Sequence, residues 1–216
     1  MQPWRVAESH GDAGTFHATD PVAARSATFH TVARPTLVVG STQAASTVDL
    51  ATAARLGVEV VRRRSGGGGV LLVPGEFVWL DLVIPAGDPL WSDDVGAAMV
   101  WVGEVWERAL QSLGHGDNLS VHRGPLIPSQ WSATVCWAGV GTGEVLRGSA
   151  KLVGISQRRT RTWARFQSMC HLQWQPALMA ALVAGPGPAV ADLAPLAACV
   201  AATEADVRAA LTLALA

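Results

Sequence analysis

The stretch RRRSGGGGV, residues 62–70, places three arginines before four consecutive glycines and the apolar segment VLLV after them. Each glycine weakens regular structure by roughly 0.5–1 kcal/mol relative to alanine, so the run is expected to serve a special backbone conformation. Successive glycine N–H groups can point into one space and bind an anion there, or the bare main chain can let a ligand lie against it. The guanidinium groups of Arg63 and Arg64 add bidentate donors for phosphate or carboxylate. The alternative is a flexible hairpin with a solvated arginine rim.

Two common nucleotide motifs are excluded at the glycine run. No Gly-Lys-Ser/Thr follows it, and the GxGxxG spacing with a downstream acidic residue is absent. The run therefore predicts a site in which a ligand lies against the main chain, but not a P-loop or a Rossmann fingerprint.

A second segment, AKLVGISQRRTR at residues 150–161, places Lys151 in an apolar strand. Lys151 is the only lysine of the sequence, and apart from the histidines all other basic residues are arginines. An ammonium that reaches into a pocket can neutralise a carbonyl or phosphate oxygen and stabilise negative charge during acyl transfer. The alternative is a strand lysine whose ammonium reaches solvent.

Composition narrows the class of protein. The chain has 216 residues, half of them hydrophobic, and a net charge of -1, which fits one α/β core and argues against a general nucleic-acid or anionic-membrane binder. The three cysteines, Cys136, Cys170 and Cys199, are odd in number and far apart, which is typical of reduced thiols and predicts neither a disulfide framework nor a metal site. No apolar run reaches the ~20 residues that span a bilayer, and we expect a cytoplasmic protein.

Hydrophobic periodicity predicts a single domain over residues 1–216. We expect an irregular start over 1–17, a helical tail over 176–216, and between them helices over 46–57 and 92–113, with Ser46 and Ser92 as N-caps. In the tail, Thr203 and Asp206 form a capping box. The expected strands are TLVVG at 36–40, VEVVRR at 58–63, VLLV and FVWLDLVIP as a hairpin around Pro74-Gly75, SATVCWAG at 132–139, GEVLRG and AKLVGISQRR as a second hairpin, and the region 163–174.

The glycine block and the Lys151 block together resemble the lipoate-protein ligase A and octanoyltransferase family. The resemblance runs from about residue 36 to residue 182, with the two blocks in the family's order and a helix between them. It implies an α/β fold in which a mixed, mainly antiparallel sheet packs with helices, as in the catalytic domains of biotin and lipoate ligases. It also implies that the glycine loop lies along a lipoyl or octanoyl group, and that Lys151 contacts the acyl carbonyl. The implied acyl- or adenylate-binding residues are Arg63, Arg64, Ser65, Gly66, Gly67, Gly68, Gly69, Val70, Gly154, Ser156 and Gln157.

Two chemistries follow from the resemblance. Ligases of the family use ATP and Mg²⁺ to make an acyl-adenylate, whereas one branch of octanoyltransferases needs no cofactor and takes the acyl group from acyl carrier protein through a cysteine thioester. Cys136-Trp137, fifteen residues before Lys151, resembles the Cys-Phe pair of that branch. We therefore predict Cys136 and Lys151 as catalytic residues, with a small buried hydrophobe as the alternative for Cys136. The acceptor would be the lysine of a lipoyl carrier domain of a 2-oxoacid dehydrogenase or glycine cleavage protein.

Three departures from the family pattern count against a standard ligase. Leu72 stands where many members have a histidine, and Arg123-Gly124-Pro125-Leu126 lacks the polar pair of the family's Arg-Asn-Asp-Leu-like segment. From the length of the sequence we also expect no C-terminal accessory domain of the kind that many ligases carry. These departures keep a third hypothesis open, a non-catalytic acyl-binding or regulatory relative. Cys170 is a lesser nucleophile candidate near the expected acyl pocket, and Cys199 is expected to be structural.

Overall fold

The computed structural model describes residues 3–216, which form ten strands and six α-helices. The strands are β1 (Arg5–Gly11), β2 (Ser26–Val32), β3 (Thr36–Val39), β4 (Glu59–Arg62), β5 (Val70–Leu72), β6 (Phe77–Pro85), β7 (Leu119–Val121), β8 (Val145–Arg147), β9 (Ala150–Arg159) and β10 (Trp163–His171). The helices are α1 (Ala13–Ala18), α2 (Leu50–Arg55), α3 (Val95–Ser112), α4 (Pro176–Ala181), α5 (Val190–Leu193) and α6 (Glu204–Leu215).

The strands form two sheets. The larger has seven strands in the order β1-β2-β6-β10-β9-β8-β7, in which β1 runs parallel to β2 and every other pair is antiparallel. The smaller has the order β4-β3-β5, with β3 parallel to β4 and antiparallel to β5. The predicted fold class, a mixed and mainly antiparallel sheet packed with helices, is confirmed.

The central strand β6 explains how the layers stack. All its residues except Pro85 are buried, as expected for an apolar run covered on both faces. On one face, Leu80 and Leu82 belong to a core with α3 and α6. On the other face, Trp79 belongs to a second core with the small sheet. The seven-stranded sheet is therefore the middle layer of the molecule.

Two predictions about strands are wrong. Residues 1–17 were expected to be irregular, but β1 pairs along its whole length with β2, and α1 follows it; residues 1 and 2 lie outside the described range. The segment SATVCWAG is not a strand: a turn leads into one turn of 3₁₀ helix at Cys136–Ala138. Its backbone bonds go to the glycine loop, where Gly69 N donates to Thr134 O (2.8 Å) and Cys136 N donates to Gly69 O (2.9 Å).

The expected hairpin around Pro74-Gly75 is also wrong. Strand β5 pairs with β3 in the small sheet, whereas β6 pairs with β2 and β10 in the large one. Gly75, at φ +79°, lies in the turn that carries the chain from one sheet to the other. This change of sheet leaves a space between β5 and the large sheet.

The helices follow the periodicity of the sequence, with different caps. Asp49 caps α2 by accepting from Thr52 N, and Asp94 caps α3 by accepting from Ala97 N, so Ser46 and Ser92 are not the N-caps. The carboxylates are better placed because each lies one residue before the first helical turn. The predicted capping box of Thr203 and Asp206 at the start of α6 is confirmed. In residues 3–216, we find no helix with both the length and the apolar character needed to span a bilayer.

Candidate active site

A cavity with about 450 Å³ of empty space lies between the two sheets. Residues of β3, β5, β6, β9 and β10 line it, together with α1 and the segment around Cys136. Most of the wall is apolar, which suits a hydrophobic ligand more than a nucleotide base. The lining residues are His17, Val38, Arg63, Val70, Leu72, Trp79, Cys136, Trp137, Gly154, Ile155, Ser156, Gln167, Ser168 and Met169.

Cys136 is held from three sides at this cavity. Its backbone N–H donates to Gly69 O at 2.9 Å, and its carbonyl oxygen accepts from Lys151 Nζ at 2.8 Å. Its Sγ lies 3.9 Å from Arg63 Nη2. The two sequence blocks therefore meet at this one cysteine, since the glycine loop and Lys151 fix its backbone while Arg63 faces its sulfur.

Arg63 explains how the glycine loop is shaped. The side chain is 6% exposed, and Nη2 donates to the carbonyl oxygens of Gly66 (2.8 Å) and Gly68 (3.0 Å). The loop thus turns two carbonyl oxygens toward a guanidinium. This arrangement fixes a positive charge at the cavity wall.

The glycines are required by the fold of the protein itself. A Cβ at Gly68 would lie 2.6 Å from Val135 N and 2.8 Å from Cys136 N, so the two backbones approach too closely for any side chain. Gly67 has φ +93°, a conformation that other residues rarely adopt. The run therefore lets the Cys136 segment pack directly on the loop.

Gly68→Ala is expected to lower the free energy of unfolding by about 1–3 kcal/mol, because backbone has to move to admit the methyl group. Gly66→Ala is the matched control: a Cβ at Gly66 meets no atom within 4 Å. Chemical denaturation of both variants and the parent chain measures the difference. Equal losses at the two positions would contradict the packing role of Gly68.

Lys151 does not line the cavity. Its side chain is buried, with Nζ 2.7 Å from Glu144 Oε2, 2.8 Å from Cys136 O and 5.6 Å from the centre of the Trp137 ring. Trp137 Nε1 donates in return to Lys151 O at 3.2 Å. In this conformation the ammonium supports the Cys136-Trp137 segment from behind.

A polar network stands at the His17 side of the cavity. His17 stacks on Trp79, with 4.9 Å between ring centres, and its Nδ1 lies 3.2 Å from Gln167 Oε1. Burial lowers the pKa of His17 to about 4; the charges of Arg63 and Arg165 act in the same direction, against the carboxylate of Asp81. At neutral pH, His17 therefore presents an uncharged ring to the cavity.

The structure brings some of the predicted binding residues together and separates others. Arg63, Val70, Cys136, Gly154 and Ser156 line the cavity. The predicted residues that lie outside its wall are Arg64, Ser65, Gly66, Gly67, Gly68, Gly69, Lys151 and Gln157. Arg64 Nη1 donates to Asp20 at 2.5 Å, and the Ser65 hydroxyl donates to Ser156 Oγ at 3.4 Å. Gln157 follows Ser156 on β9, and successive strand residues point to opposite faces.

Several wall residues were missed from sequence. His17 was missed because residues 1–17 were read as irregular. Glu144, which lies outside the wall and pairs with Lys151, was missed because no pattern marked it. Gln167 and Met169 lie two residues apart on β10, and this period of two on a recognised strand was a usable signal. Cys170, which was considered near the pocket, belongs to the core on the α3 side, and burial raises the pKa of its thiol to about 12. Burial likewise raises the pKa of Cys199.

Metal-binding groups do not cluster in the described chain. Among residues 3–216, no three His, Cys, Asp or Glu side chains come together in a way that could hold an ion.

One family model matches this chain, and solved structures share its fold. The model of the lipoyl protein ligase A/B catalytic domain matches residues 16–193. A bipartite lipoate protein ligase from Thermoplasma acidophilum, described with its E2 lipoyl domain, superposes with a TM-score of 0.73 at 16% identity, over 99% of this chain and 82% of that one. A lipoate-protein ligase A bound with ATP superposes with a TM-score of 0.69 at 16% identity, over 99% of this chain and 84% of that one. P. falciparum LipL1 in complex with lipoate superposes with a TM-score of 0.66 at 10% identity, over 98% of this chain and 61% of that one.

The match to the family model covers most of the chain, including the glycine loop, Cys136 and Lys151. A search of curated protein sequences gave no match. The solved structures share the fold at low sequence identity, so the assignment to a family rests on the match to the family model. The chain belongs to the lipoyl protein ligase A/B catalytic domain family, and it is a lipoyl- or octanoyl-protein transferase or ligase.

Proposed function

We propose that this protein transfers an octanoyl or lipoyl group from acyl carrier protein to the lysine of a lipoyl carrier domain, through a thioester on Cys136. The observation that carries the proposal is the setting of the Cys136 thiol. It lines an apolar cavity, its backbone is held on both sides, and the Arg63 guanidinium lies 3.9 Å from the sulfur. A guanidinium beside the partly exposed sulfur is placed to stabilise negative charge there when the sulfur acts as a nucleophile.

The reaction has two steps. The Cys136 thiolate attacks the carbonyl carbon of the donor thioester, and the bond from that carbon to the carrier's sulfur breaks; the released carrier thiolate takes up a proton. The acceptor lysine, as a free amine, then attacks the Cys136 thioester, forming an amide and releasing the Cys136 thiolate, while the amine gives a proton to solvent. No oxidant, reductant or nucleotide is consumed.

The walls support an acyl chain as the ligand. Val38, Val70, Leu72, Trp79 and Met169 give the cavity an apolar surface, which suits the hydrocarbon part of an acyl group. Leu72, which replaces the histidine of many family members, extends this surface. The acyl chain would therefore lie between β5 and β10, with its carbonyl at Cys136.

The ATP-dependent ligase route ranks second. A structure of the family holds ATP, and Arg63 and Arg64 are suited to phosphate. The Lys151 ammonium, however, is bound to Glu144 and to Cys136 O, so in this conformation it is not directed at a phosphate.

The test is to follow the mass of a lipoyl carrier domain incubated with the protein under two conditions. One mixture contains octanoyl-acyl carrier protein without ATP, and the other contains octanoate or lipoate with ATP and Mg²⁺. We expect acylation in the first, with an octanoyl group on the Cys136 peptide when the acceptor is omitted. Acylation only in the second would establish the ligase, and binding of octanoate without any turnover would favour the non-catalytic relative.

A further inference from the structure

A second cavity, with about 1060 Å³ of empty space, lies on the same face of the large sheet as the cavity at Cys136. The strand register shows the shared face. His30, in the wall of the second cavity, pairs with Trp79 in the wall of the first. Asp81 of the second cavity pairs in the same way with Gln167 of the first. Directly paired residues point to the same side of a sheet, so the two cavities are neighbours on one surface.

The short helix α1 stands between the two cavities. Phe16 lines the second cavity, with its ring centre 4.4 Å from that of His30. The next residue, His17, lines the cavity at Cys136 and stacks on Trp79, with 4.9 Å between the ring centres. Both side chains are buried. Two adjacent residues of one helix thus form a partition, and His17 is the side of it that faces the acyl group in the proposed reaction.

Buried hydrogen bonds hold the His17 ring in this position. Gln167 Nε2 donates to the Asp81 carboxylate at 3.5 Å, which orients the amide so that its Oε1 faces His17 Nδ1 at 3.2 Å. A carbonyl oxygen only accepts, so Nδ1 carries a proton and donates it to this bond. Because burial lowers the pKa of His17 to about 4, the ring is uncharged at neutral pH. His17 is therefore a fixed wall and not a site for an anion.

The charges of the cavity decide which end of an acyl group meets this wall. Arg63 is a cationic side chain of the cavity and lies 3.9 Å from the Cys136 sulfur. A guanidinium binds carboxylate oxygens well, so the polar head of a fatty acid is drawn to Arg63, whereas the uncharged His17 ring does not attract it. The hydrocarbon tail is then left to the apolar part of the cavity.

The His17 wall stands away from Cys136 along the sheet. The ring of Trp137 covers Gly154, where an added Cβ would meet Cη2 at 3.1 Å. Gly154 pairs with Met169, and Gln167, the partner of His17, stands two residues farther along β10, which is about 6–7 Å. An extended chain crosses that distance in about five or six bonds, since three backbone bonds span about 3.3–3.6 Å. A tail of medium length therefore meets His17 near its end.

We propose that His17 is a specificity-determining residue that ends the acyl cavity at α1 and limits the acyl group to a medium-length chain such as octanoyl or lipoyl; the inference rests on the acyl transfer proposed above. A longer chain has to displace the buried ring, which breaks its contacts with Gln167 and Trp79, because a packed interior has no room for added methylene groups. Replacing His17 with alanine removes the ring and lets a chain extend toward Phe16.

The test measures the affinities of fatty acids of different length by calorimetry. We expect the parent protein to bind dodecanoate roughly tenfold or more weakly than octanoate, because the longer tail overpacks the cavity. In His17→Ala the ratio should shift by roughly tenfold or more in favour of dodecanoate. His17→Phe keeps a ring of similar size and should retain the parent ratio. An unchanged ratio in His17→Ala, or an equal shift in His17→Phe, would overturn the inference.

His10→Ala is the matched control for the loss of an imidazole. His10 is an exposed residue of β1 and lies outside both cavity walls. This variant should bind both acids as the parent protein does. A shift in His10→Ala as large as that in His17→Ala would show that the change of preference does not come from the partition, and the inference would fail.

A second measurement, on the parent protein, covers the case in which His17→Ala does not fold. An octanoate with a diazirine near its methyl end loses nitrogen on illumination, and the carbene inserts into a bond of the group that it touches. We expect the label in the peptide that contains His17. A label confined to the Cys136 segment or to the glycine loop would contradict the proposed direction of the chain.

These measurements need no acyl transfer, so they are independent of the thioester route. If octanoyl-acyl carrier protein fails to acylate Cys136 while His17→Ala shifts the preference for chain length, the thioester route fails and the role of His17 stands. If neither acid binds to the parent protein, the role of His17 is refuted, whatever the transfer assay shows.

Discussion

Cys136→Ser is expected to slow acyl transfer from an acyl thioester by roughly a thousandfold or more, with the fold unchanged. Serine keeps the shape of the side chain, but a hydroxyl without an adjacent base is a far weaker nucleophile than a thiolate. The backbone bonds of residue 136 to Gly69 and Lys151 do not depend on its side chain. The measurement is the initial rate of acceptor acylation from octanoyl-acyl carrier protein under single-turnover conditions.

The other two cysteines provide matched controls for this result. Cys199→Ser and Cys170→Ala are expected to retain the rate, because Cys199 lies outside the cavity wall and Cys170 packs on the opposite face of the sheet. Cys170→Ala should cost some stability, since it removes a buried sulfur. Full activity in Cys136→Ser, or a loss that Cys199→Ser shares, would eliminate the thioester mechanism.

Asp81→Asn is expected to lower the free energy of unfolding by about 3–5 kcal/mol. Asp81 is buried in β6 and accepts from Trp79 Nε1 (2.7 Å) and Arg165 Nε (2.7 Å), and its Oδ2 lies 3.1 Å from His30 Nε2. Burial raises the pKa of Asp81, but His30 and Arg165 outweigh it and lower the pKa to about 2. Asparagine of the same size would leave the buried Arg165 guanidinium without its counterion.

The control for this prediction is Asp20→Asn. Asp20 also binds arginines, Arg64 and Arg158, but it is exposed, and exposed pairs contribute little to stability. Urea denaturation of both variants at neutral pH gives the comparison. A loss at Asp81 no larger than that at Asp20 would show that the buried network does not hold β6 and the Trp79 wall.

The fold was largely accessible from sequence where local patterns were strong. The three- and four-residue periodicity of α3, the turn between β8 and β9, and the capping box of α6 are local features, and each is decided by neighbouring residues. The apolar run FVWLDLVIP indicated a strand, which is β6 in the structure, for the same reason. Its partners were not local, so the hairpin expected with β5 was wrong.

The site was accessible only in part, because its geometry is set by distant residues. The glycine and Lys151 blocks identified the region, yet their meeting point, the turn at Cys136, is fixed by bonds to Gly69 and Lys151 that no local pattern reveals. Glu144 lies seven residues before Lys151 without a helical or strand spacing that joins them. His17 reaches the cavity from a helix of six residues, too short for a periodic signal.

The parallel pairing of β1 with β2 has a consequence for solubility. It makes β1 one border of the large sheet and leaves its outer row of backbone N–H and C=O groups open to pairing with another chain. That border carries Arg5, Glu8 and His10 as exposed side chains, and the opposite border is the three-residue strand β7. Charged side chains at one border and a very short strand at the other both disfavour edge-to-edge aggregation.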